Sequence, residues 1–400
     1  MTNEVKNVPE LRFPEFGGEW EEKSIGDLGS FYYGKSAPKW SITKDATIPC
    51  VRYGELYTKH KGIVREIYSY TNIDSNNLRF SEGGEILVPR VGEDPMDFAK
   101  CSYLPFSGIA IGEMISVYNT SQNPIFITTY FNSQMKYEFA KRVEGASVSN
   151  LYYSYLTNIN MNIPTINEQQ KIGEFFSKLD RQIELEEQKL AKLEEQKKGY
   201  MQKLFSQEIR FKDNKGNSYP DWKIVSIGDI LEERTERSGE GDMLSVTINN
   251  GIIKFVEIDR KDNSSKDKNN YRKVYKDDIA YNSMRMWQGA SGKSEYEGIV
   301  SPAYTVTIPN ENINPDFIAY YFKTHKLIHK FKINSQGLTS DTWNLKYRQL
   351  KDIKINLCSK EEQSKIANLL IMYDKLINKQ KHKLEILKTN KKGFLQKMFV

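Results

Sequence analysis

The chain has 400 residues, 38% of them apolar and 12% aromatic, and carries a net charge of +6 with a pI near 8.8. That length exceeds one ordinary core, so two or three domains are expected. No run of about 18 apolar residues is present, and the opening MTNEVKNVPELRF is polar, so neither a membrane span nor a signal peptide is expected. Cys50, Cys101 and Cys358 stand alone without CxxC spacing, which predicts reduced thiols of a cytoplasmic protein rather than disulfides or zinc ligands. The basic balance permits a polyanionic partner without requiring one.

In chain order, Leu11-Arg12-Phe13 is followed by Trp20 and then Ser24-Ile25-Gly26-Asp27. Short β-rich runs come next: Ile48 to Tyr53, Glu85 to Val88 and Ile115 to Tyr118. Asn123-Pro124-Ile125-Phe126 reads as a helix start, with Asn as N-cap and Pro at the first helical position. A glycine-containing loop, Gly145 to Asn150, leads to the alternating strand Ile159 to Pro164. From Asn167 to Phe205 the sequence reads as one long helix.

The whole order then recurs. Ile209-Arg210-Phe211 precedes Trp222 and Ser226-Ile227-Gly228-Asp229. Strand-like runs follow at Met243 to Thr247, Asp278 to Tyr281 and Tyr304 to Thr307, and Gly298-Ile299-Val300 answers Gly108-Ile109-Ala110. Asn314-Pro315-Asp316-Phe317 starts a helix, the loop Gly337 to Asn344 leads to the strand Ile353 to Leu357, and Glu361 to Phe399 repeats the long helix. The two helices align without a gap at a shift of 194 residues, with 15 of 39 positions identical. The frame is duplicated while the middles have diverged. The expected boundaries are a first domain at 1–166, a helix at 167–205, a second domain at 206–359 and a helix at 360–400.

Apolar residues recur at heptad spacing in both helices. One seam holds Ile172, Leu179, Glu186, Leu193 and Tyr200, the other Phe176, Ile183, Leu190, Lys197 and Leu204, and the second helix breaks its seams at the matching Gln380 and Lys391. The fold class expected is therefore α+β: two globular mixed α/β domains joined by two long helices. The short linkers make those helices an antiparallel coiled coil with internal pseudo-twofold symmetry. Pairing the polar breaks sets Glu186 against Lys391 and Lys197 against Gln380, with Leu190 facing Leu387 and Leu193 facing Leu384. Sliding by a heptad would strand a charge among apolar residues at a cost of several kcal/mol. At about 1.5 Å per residue the helices would make a rod of roughly 57 Å. Domains inboard of its ends could enter major grooves repeating every ~34–36 Å.

This arrangement resembles the specificity subunit of type I restriction–modification systems over nearly the whole chain. The resemblance rests on the doubled helix start (Glu168-Gln169…Ile172; Glu362-Gln363…Ile366) and the doubled Lys-Lys-Gly-aromatic-x-Gln-Lys end (197–203; 391–397). It rests also on Tyr281 to Ala290 followed by Gly298 to Tyr304. It implies two target-recognition domains, each reading half of a split asymmetric site in double-stranded DNA. It also implies helices that set the spacing and dock two modification (methyltransferase) subunits, and restriction subunits that complete the nuclease. S-adenosylmethionine, ATP and magnesium would lie on those partners, with no cofactor and no metal on this chain.

Bases and phosphates are read by Arg, Lys, Asn, Gln and Ser. The first-domain candidates are Lys35, Ser36, Lys39, Trp40, Arg52, Tyr53, Lys59, His60, Lys61 and Arg90. Those of the second are Asn249 and Asn250, Arg272 and Lys273 in the run that starts at Lys268, Ser283, Arg285, Trp287 and Gln288. Arg90 and Arg285 stand out, because each follows a matching acidic-Ile strand. For each of the others a solvated surface or a packing role is an equally good account.

Catalytic leads fail one by one. Ser291-Gly292-Lys293-Ser294 resembles a P-loop end, but Trp287 stands at the leading glycine position. Lys326 stands between His325 and His329 where a zinc protease has Glu, Asp221 lacks a partner acid, and both Asn-Pro segments lack the second Pro and the Tyr of a methyltransferase loop. A binding subunit without a catalytic site of its own is expected. The alternatives are a methyltransferase fusion, for which the chain lacks room, and a coiled-coil scaffold with tandem α/β domains and no DNA role.

Overall fold

The computed structural model describes residues 7–257, 267–340 and 342–400. The chain divides into two compact units, one formed by the segments up to Glu187 and from His382 onward, the other by Gln188–Lys381. Each long helix, Ile166–Phe205 and Lys360–Lys397, is thus shared between the units rather than forming a segment of its own.

Both units are built on one plan. In the first, a four-stranded antiparallel sheet runs in the order Gly29–Tyr33, Ile115–Thr120, Glu85–Pro89, Ser102–Leu104. In the second the order is Leu231–Glu233, Tyr304–Pro309, Ile279–Asn282, Ser291–Lys293. A two-stranded ribbon closes each unit beside the long helix: Glu21–Ser24 pairs with Asn160–Ile163, and Lys223–Ser226 with Lys354–Leu357. The outer layers differ. The first unit adds Ser69–Thr71, Ile48–Val51 and Ala110–Ile111 as a mixed three-stranded sheet. The second adds the hairpin Leu244–Thr247/Gly251–Lys254 and the pair Arg272–Val274/Gly298–Val300.

The repeated motifs all have structural work. Asn123 and Asn314 cap helices that start at Pro124 and Pro315, accepting from Phe126 N at 2.9 Å and Phe317 N at 3.0 Å. Ser24 with Asp27, and Ser226 with Asp229, form capping boxes. Between them, Gly26 N donates to Thr157 O and Gly228 N to Lys351 O, each at 2.8 Å. A Cβ at these glycines would lie 3.0 and 2.8 Å from the same neighbours, which is why Gly recurs there. The Glu-Gln of each helix start is fully buried. Glu168 takes Arg12 and Glu362 takes Arg210, both through two N–H···O bonds of 2.7–3.0 Å. Gln169 accepts from Asn123 N at 3.0 Å and donates to Pro164 O at 2.8 Å; Gln363 accepts from Asn314 N and donates to Cys358 O, each at 2.9 Å. Each Glu-Gln therefore rivets the ribbon, the capped helix and the Arg-Phe segment into one joint.

Each long helix ends in an aromatic plug. Phe205 stacks on Tyr321 (4.8 Å) and meets Phe317, with Trp222 against both. Phe399 packs on Trp20, Phe126 and Tyr130 in the first unit, whose core the last residues of the chain complete. The three cysteines are free and buried, and burial pushes the Cys50 thiol up to about 12.

Within each unit the two helices run antiparallel. Phe175 packs on Phe394 and Asp180 holds Lys391 in the first unit; Lys197 holds Asp374 and Tyr200 meets Tyr373 in the second. The register differs from expectation. Lys391 meets Asp180 instead of Glu186, and Glu186 pairs with Lys383; Lys197 meets Asp374 at 2.6 Å instead of Gln380. Both partners are displaced by six residues (186 to 180, 380 to 374), so the expected pairing of the polar breaks, Glu186 with Lys391 and Lys197 with Gln380, does not form. The physical reason is reach: a lysine at a seam position extends its four-carbon stem to a flanking carboxylate and need not face the opposing polar break. Asp180 and Asp374 are themselves repeat partners, and so are Lys197 and Lys391.

Candidate nucleic-acid interface

In both units the central strand of the four-stranded sheet delivers the arginine singled out above. In the first, Arg90 leaves Glu85–Pro89 with its main chain fixed on both sides: its N donates to Met114 O at 3.1 Å and its O accepts from Leu151 N at 2.8 Å. Its guanidinium lies over the rings of Tyr33 (4.4 Å) and Tyr152 (5.4 Å), and its buried Nε meets no acceptor among the described residues. The tyrosine clamp orients the planar head while leaving hydrogen-bonding capacity unused.

In the same unit Lys35, Lys39, Trp40 and Lys59 are exposed, Trp40 by 72%. Ser36 and Ala37 adopt left-handed backbone (φ 64° and 60°), and Ala37 is buried with Cys50 and Ala110. Lys35 Nζ donates to Asn76 O at 3.1 Å. Arg52 and Tyr53 are half-buried at the start of the helix Tyr53–Thr58, where Arg52 N donates to Glu55. Lys59 approaches the Tyr68 ring at 5.5 Å. His60 is buried, and burial lowers its pKa, which removes it from any surface set. Lys61 is bound to Glu187 at 2.6 Å and so serves the long helix.

In the second unit Arg285 and Gln288 line an open cleft of about 780 Å³ with Asn282, Asn270, Ser245 and Tyr304; Leu244, Val246 and Ala290 supply apolar wall. Asn249 and Asn250 are exposed at the tip of the hairpin that forms one side of this cleft. Guanidinium, amides and a phenol over an apolar wall can hydrogen-bond base edges and pack on their faces.

Three second-unit candidates fall elsewhere. Ser283 is buried, its hydroxyl 2.9 Å from that of Thr305, because the chain turns inward after Asn282. Arg272 is held by Glu233 at 2.7 Å and by Arg234 O, inside the strand pair. Trp287 braces its own turn, donating to Met284 O at 3.1 Å and packing edge-on against Trp343 at 5.2 Å. Lys273 is half-buried near the Tyr275 ring.

Sequence reasoning missed Lys323. Its ammonium donates to Ile248 O (2.7 Å) in the hairpin turn and to Gly289 O (2.5 Å) at the end of the Met286–Gln288 turn, so it ties two walls of the cleft together. Burial brings its pKa down to about 8. Nothing in the local sequence marks it, since both partners are distant carbonyls.

The segments with catalytic resemblance have other roles. Lys293 is bound by Asp316 (2.9 Å) and Glu295 (2.7 Å), and Asp221 is exposed beside Arg210. Among the described residues no group of three His, Cys, Asp or Glu side chains is placed to hold a metal ion, and no helix is long and apolar enough to cross a membrane.

Comparison with known proteins agrees with this duplication. A sequence model described as the type I restriction modification DNA specificity domain matches twice, at residues 17–195 and 219–388. The type I restriction enzyme MjaVIII specificity subunit of Methanocaldococcus jannaschii is 24% identical, across 97% of this chain and 93% of its own. The MjaIX specificity subunit of the same organism is 38% identical over 80 residues, 20% of this chain and 18% of its own. Among solved structures, the S subunit of a type I restriction-modification system from M. genitalium shares the fold with a TM-score of 0.63 at 16% identity, covering 98% of this chain and 99% of that one. The chain belongs to the type I restriction modification DNA specificity family, and its role is DNA sequence specificity.

Proposed function

We propose that the chain is the specificity subunit of a type I restriction–modification complex in which each domain reads one half of a bipartite, asymmetric site in double-stranded DNA. The observation that carries this reading is the pairing of one conserved sheet order with two different outer layers. Frames of one strand order each carry an arginine just beyond a central strand, Arg90 directly after it and Arg285 three residues on, and different surroundings give each arginine a different target. The reading face of the first domain is Arg90 with Lys35, Ser36, Lys39, Trp40, Arg52, Tyr53 and Lys59. That of the second is the cleft of Arg285 and Gln288 with Asn249, Asn250 and Lys273.

The long helices set the spacing between half-sites and dock two modification subunits through their charged outer faces, and restriction subunits join that assembly. S-adenosylmethionine, ATP and magnesium then belong to the partners, and this chain contributes recognition. Gel-shift titration of the chain with its modification subunit tests the reading: binding that prefers one duplex and weakens steeply with salt is expected. Single-molecule methylome sequencing of cells with and without the chain should show one bipartite motif vanish. Sequence-independent, salt-insensitive binding would refute the proposal.

A further inference from the structure

Arg285 sits in a short loop, residues 283–290, that joins the strands Ile279–Asn282 and Ser291–Lys293. Its counterpart, residues 90–101, carries Arg90 between Glu85–Pro89 and Ser102–Leu104. Each loop is tied near its far end by a side chain from a frame helix. In the first domain Asn132 donates to Cys101 O at 3.0 Å and accepts from Cys101 N at 2.7 Å. In the second, Lys323 donates to Gly289 O at 2.5 Å.

These two side chains hold one place in the repeat. Both stand nine residues past a capping asparagine, Asn132 after Asn123 and Lys323 after Asn314. Phe126, Ile127, Tyr130 and Phe131 are buried, and so are Phe317, Ile318, Tyr321 and Phe322 at the same steps from the caps. Equal steps along equally buried helices present the ninth residue on the same side. Each cap in turn is bonded to the buried Gln of the long helix, Asn123 N to Gln169 at 3.0 Å and Asn314 N to Gln363 at 2.9 Å. A rigid element of the frame thus ends on the loop that carries the reader.

In the second domain the tie reaches two parts of the cleft. Lys323 also donates to Ile248 O at 2.7 Å, and Ile248 directly precedes Asn249 and Asn250 at the hairpin tip. On the other side Gly289 leads into Ala290, whose N donates to Arg285 O at 3.2 Å. The hairpin root is fixed separately: a Cβ on Gly292 would lie 2.9 Å from Gly251 Cα. One ammonium therefore sets the distance between the hairpin tip and the loop that bears Arg285 and Gln288. Both bonds of Asn132 go to a single residue, so it holds a loop without joining two walls.

We propose that Lys323 is the positioning residue of the second reading face. It fixes the width of the cleft, and with it the bases that Arg285, Gln288 and the hairpin asparagines select, without touching DNA itself. An arginine reads a base through paired N–H donors, so a small shift of its loop costs discrimination. The inference rests on the DNA-reading role proposed above.

The test uses the full chain with its modification subunits, and duplexes carrying the motif found by methylome sequencing or one changed base in either half. Lys323→Met keeps the apolar stem and removes both bonds. Its preference for the true duplex should fall about 10-fold for changes in one half only, within the ~5–150-fold of a single base contact. The slope of log K against log salt should stay as in wild type. Lys323→Arg keeps donors for two carbonyls on a long stem and should restore the preference, and Asn132→Ala should leave that half untouched. Denaturant titration sets an assay temperature at which every variant is folded. Wild-type preference in Lys323→Met would overturn the inference. So would a salt slope lowered by about one, which marks a phosphate contact, or an Arg variant no better than the Met variant. A wild-type complex with no motif would overturn the DNA-reading role itself, and this inference with it.

Discussion

In the first domain the strand-end arginine is clamped: Arg90 lies between Tyr33 and Tyr152. In the second, Arg285 stands three residues past the strand end at Asn282 and lines an open cleft. The sheets that deliver them have the same order, and the joints behind them are the same Arg-Glu and Gln contacts. The comparison separates two kinds of residue. Those that recur in both halves build the frame, whereas those that change around a recurring strand set what each half reads.

Breaking the frame should have the largest effect. Glu362 is wholly buried and Glu168 nearly so, each paired with one arginine through two bonds. Arg210→Ala or Arg12→Ala leaves a buried carboxylate alone, which costs about 3–5 kcal/mol. Denaturant titration should show that loss for each variant. At a permissive temperature the methylome motif should keep its sequence, since the frame holds the readers but does not choose bases.

Next come the readers. Arg285→Ala should weaken binding by ~5–150-fold on the true site and relax one half of the motif, leaving the other half intact. Arg90→Ala should relax the opposite half, and Arg90→Lys should not rescue it, because a lysine has no planar head to lie between two tyrosines. Equal losses on random DNA would reassign that arginine to a phosphate.

Lys323 gives the second domain a pH response for which the first has no counterpart at the same joint: there Asn132 makes the tie, to the N–H and C=O of Cys101. With a folded pKa near 8 against an ordinary 10.5, the unfolded chain binds more protons between those values. Stability of the second unit should therefore rise with pH from about 8 toward 10, by at most ~1.4 kcal/mol per pH unit. Subtracting the curve of Lys323→Met isolates the slope; a flat difference between pH 7.5 and 9.5 would show that Lys323 keeps its charge.

Much of the frame was legible because its signals are local. Heptad spacing marks the helices, Asn-Pro marks the capped starts, and the gapless alignment of the two helices marks the repeat. The Glu-Gln motif was visible as a repeat, but its partners Arg12 and Arg210 lie over 150 residues away and could not be read. The candidate site was legible in part. Ser283 follows the strand that carries the reader, and only the inward turn after Asn282 shows that it faces Thr305. Lys61 resembles any exposed lysine until the chain brings Glu187 to it. The register failed for a similar reason: facing positions were matched by polarity, while the lysines found carboxylates to the side.

That corrected register supplies the smallest and sharpest comparison. Lys197–Asp374 and Lys391–Asp180 are one pair written twice, and all four side chains are partly exposed, so each pair should contribute only ~0.2–1 kcal/mol. The surroundings differ. In the second domain Tyr320 donates to Asp374 at 2.5 Å and its ring lies 5.1 Å from the Lys197 ammonium. Asp180 has no such phenol among its described contacts. The tyrosine fixes the carboxylate and sets its ring beside the ammonium, so less rotamer freedom is lost when that pair forms. Double-mutant cycles with Lys→Gln and Asp→Asn should then give a coupling near ~1 kcal/mol in the second domain and about half that in the first. Tyr320→Phe should bring the second value down to the first. Equal couplings before that change would mean that the repeat alone sets the strength of the pair.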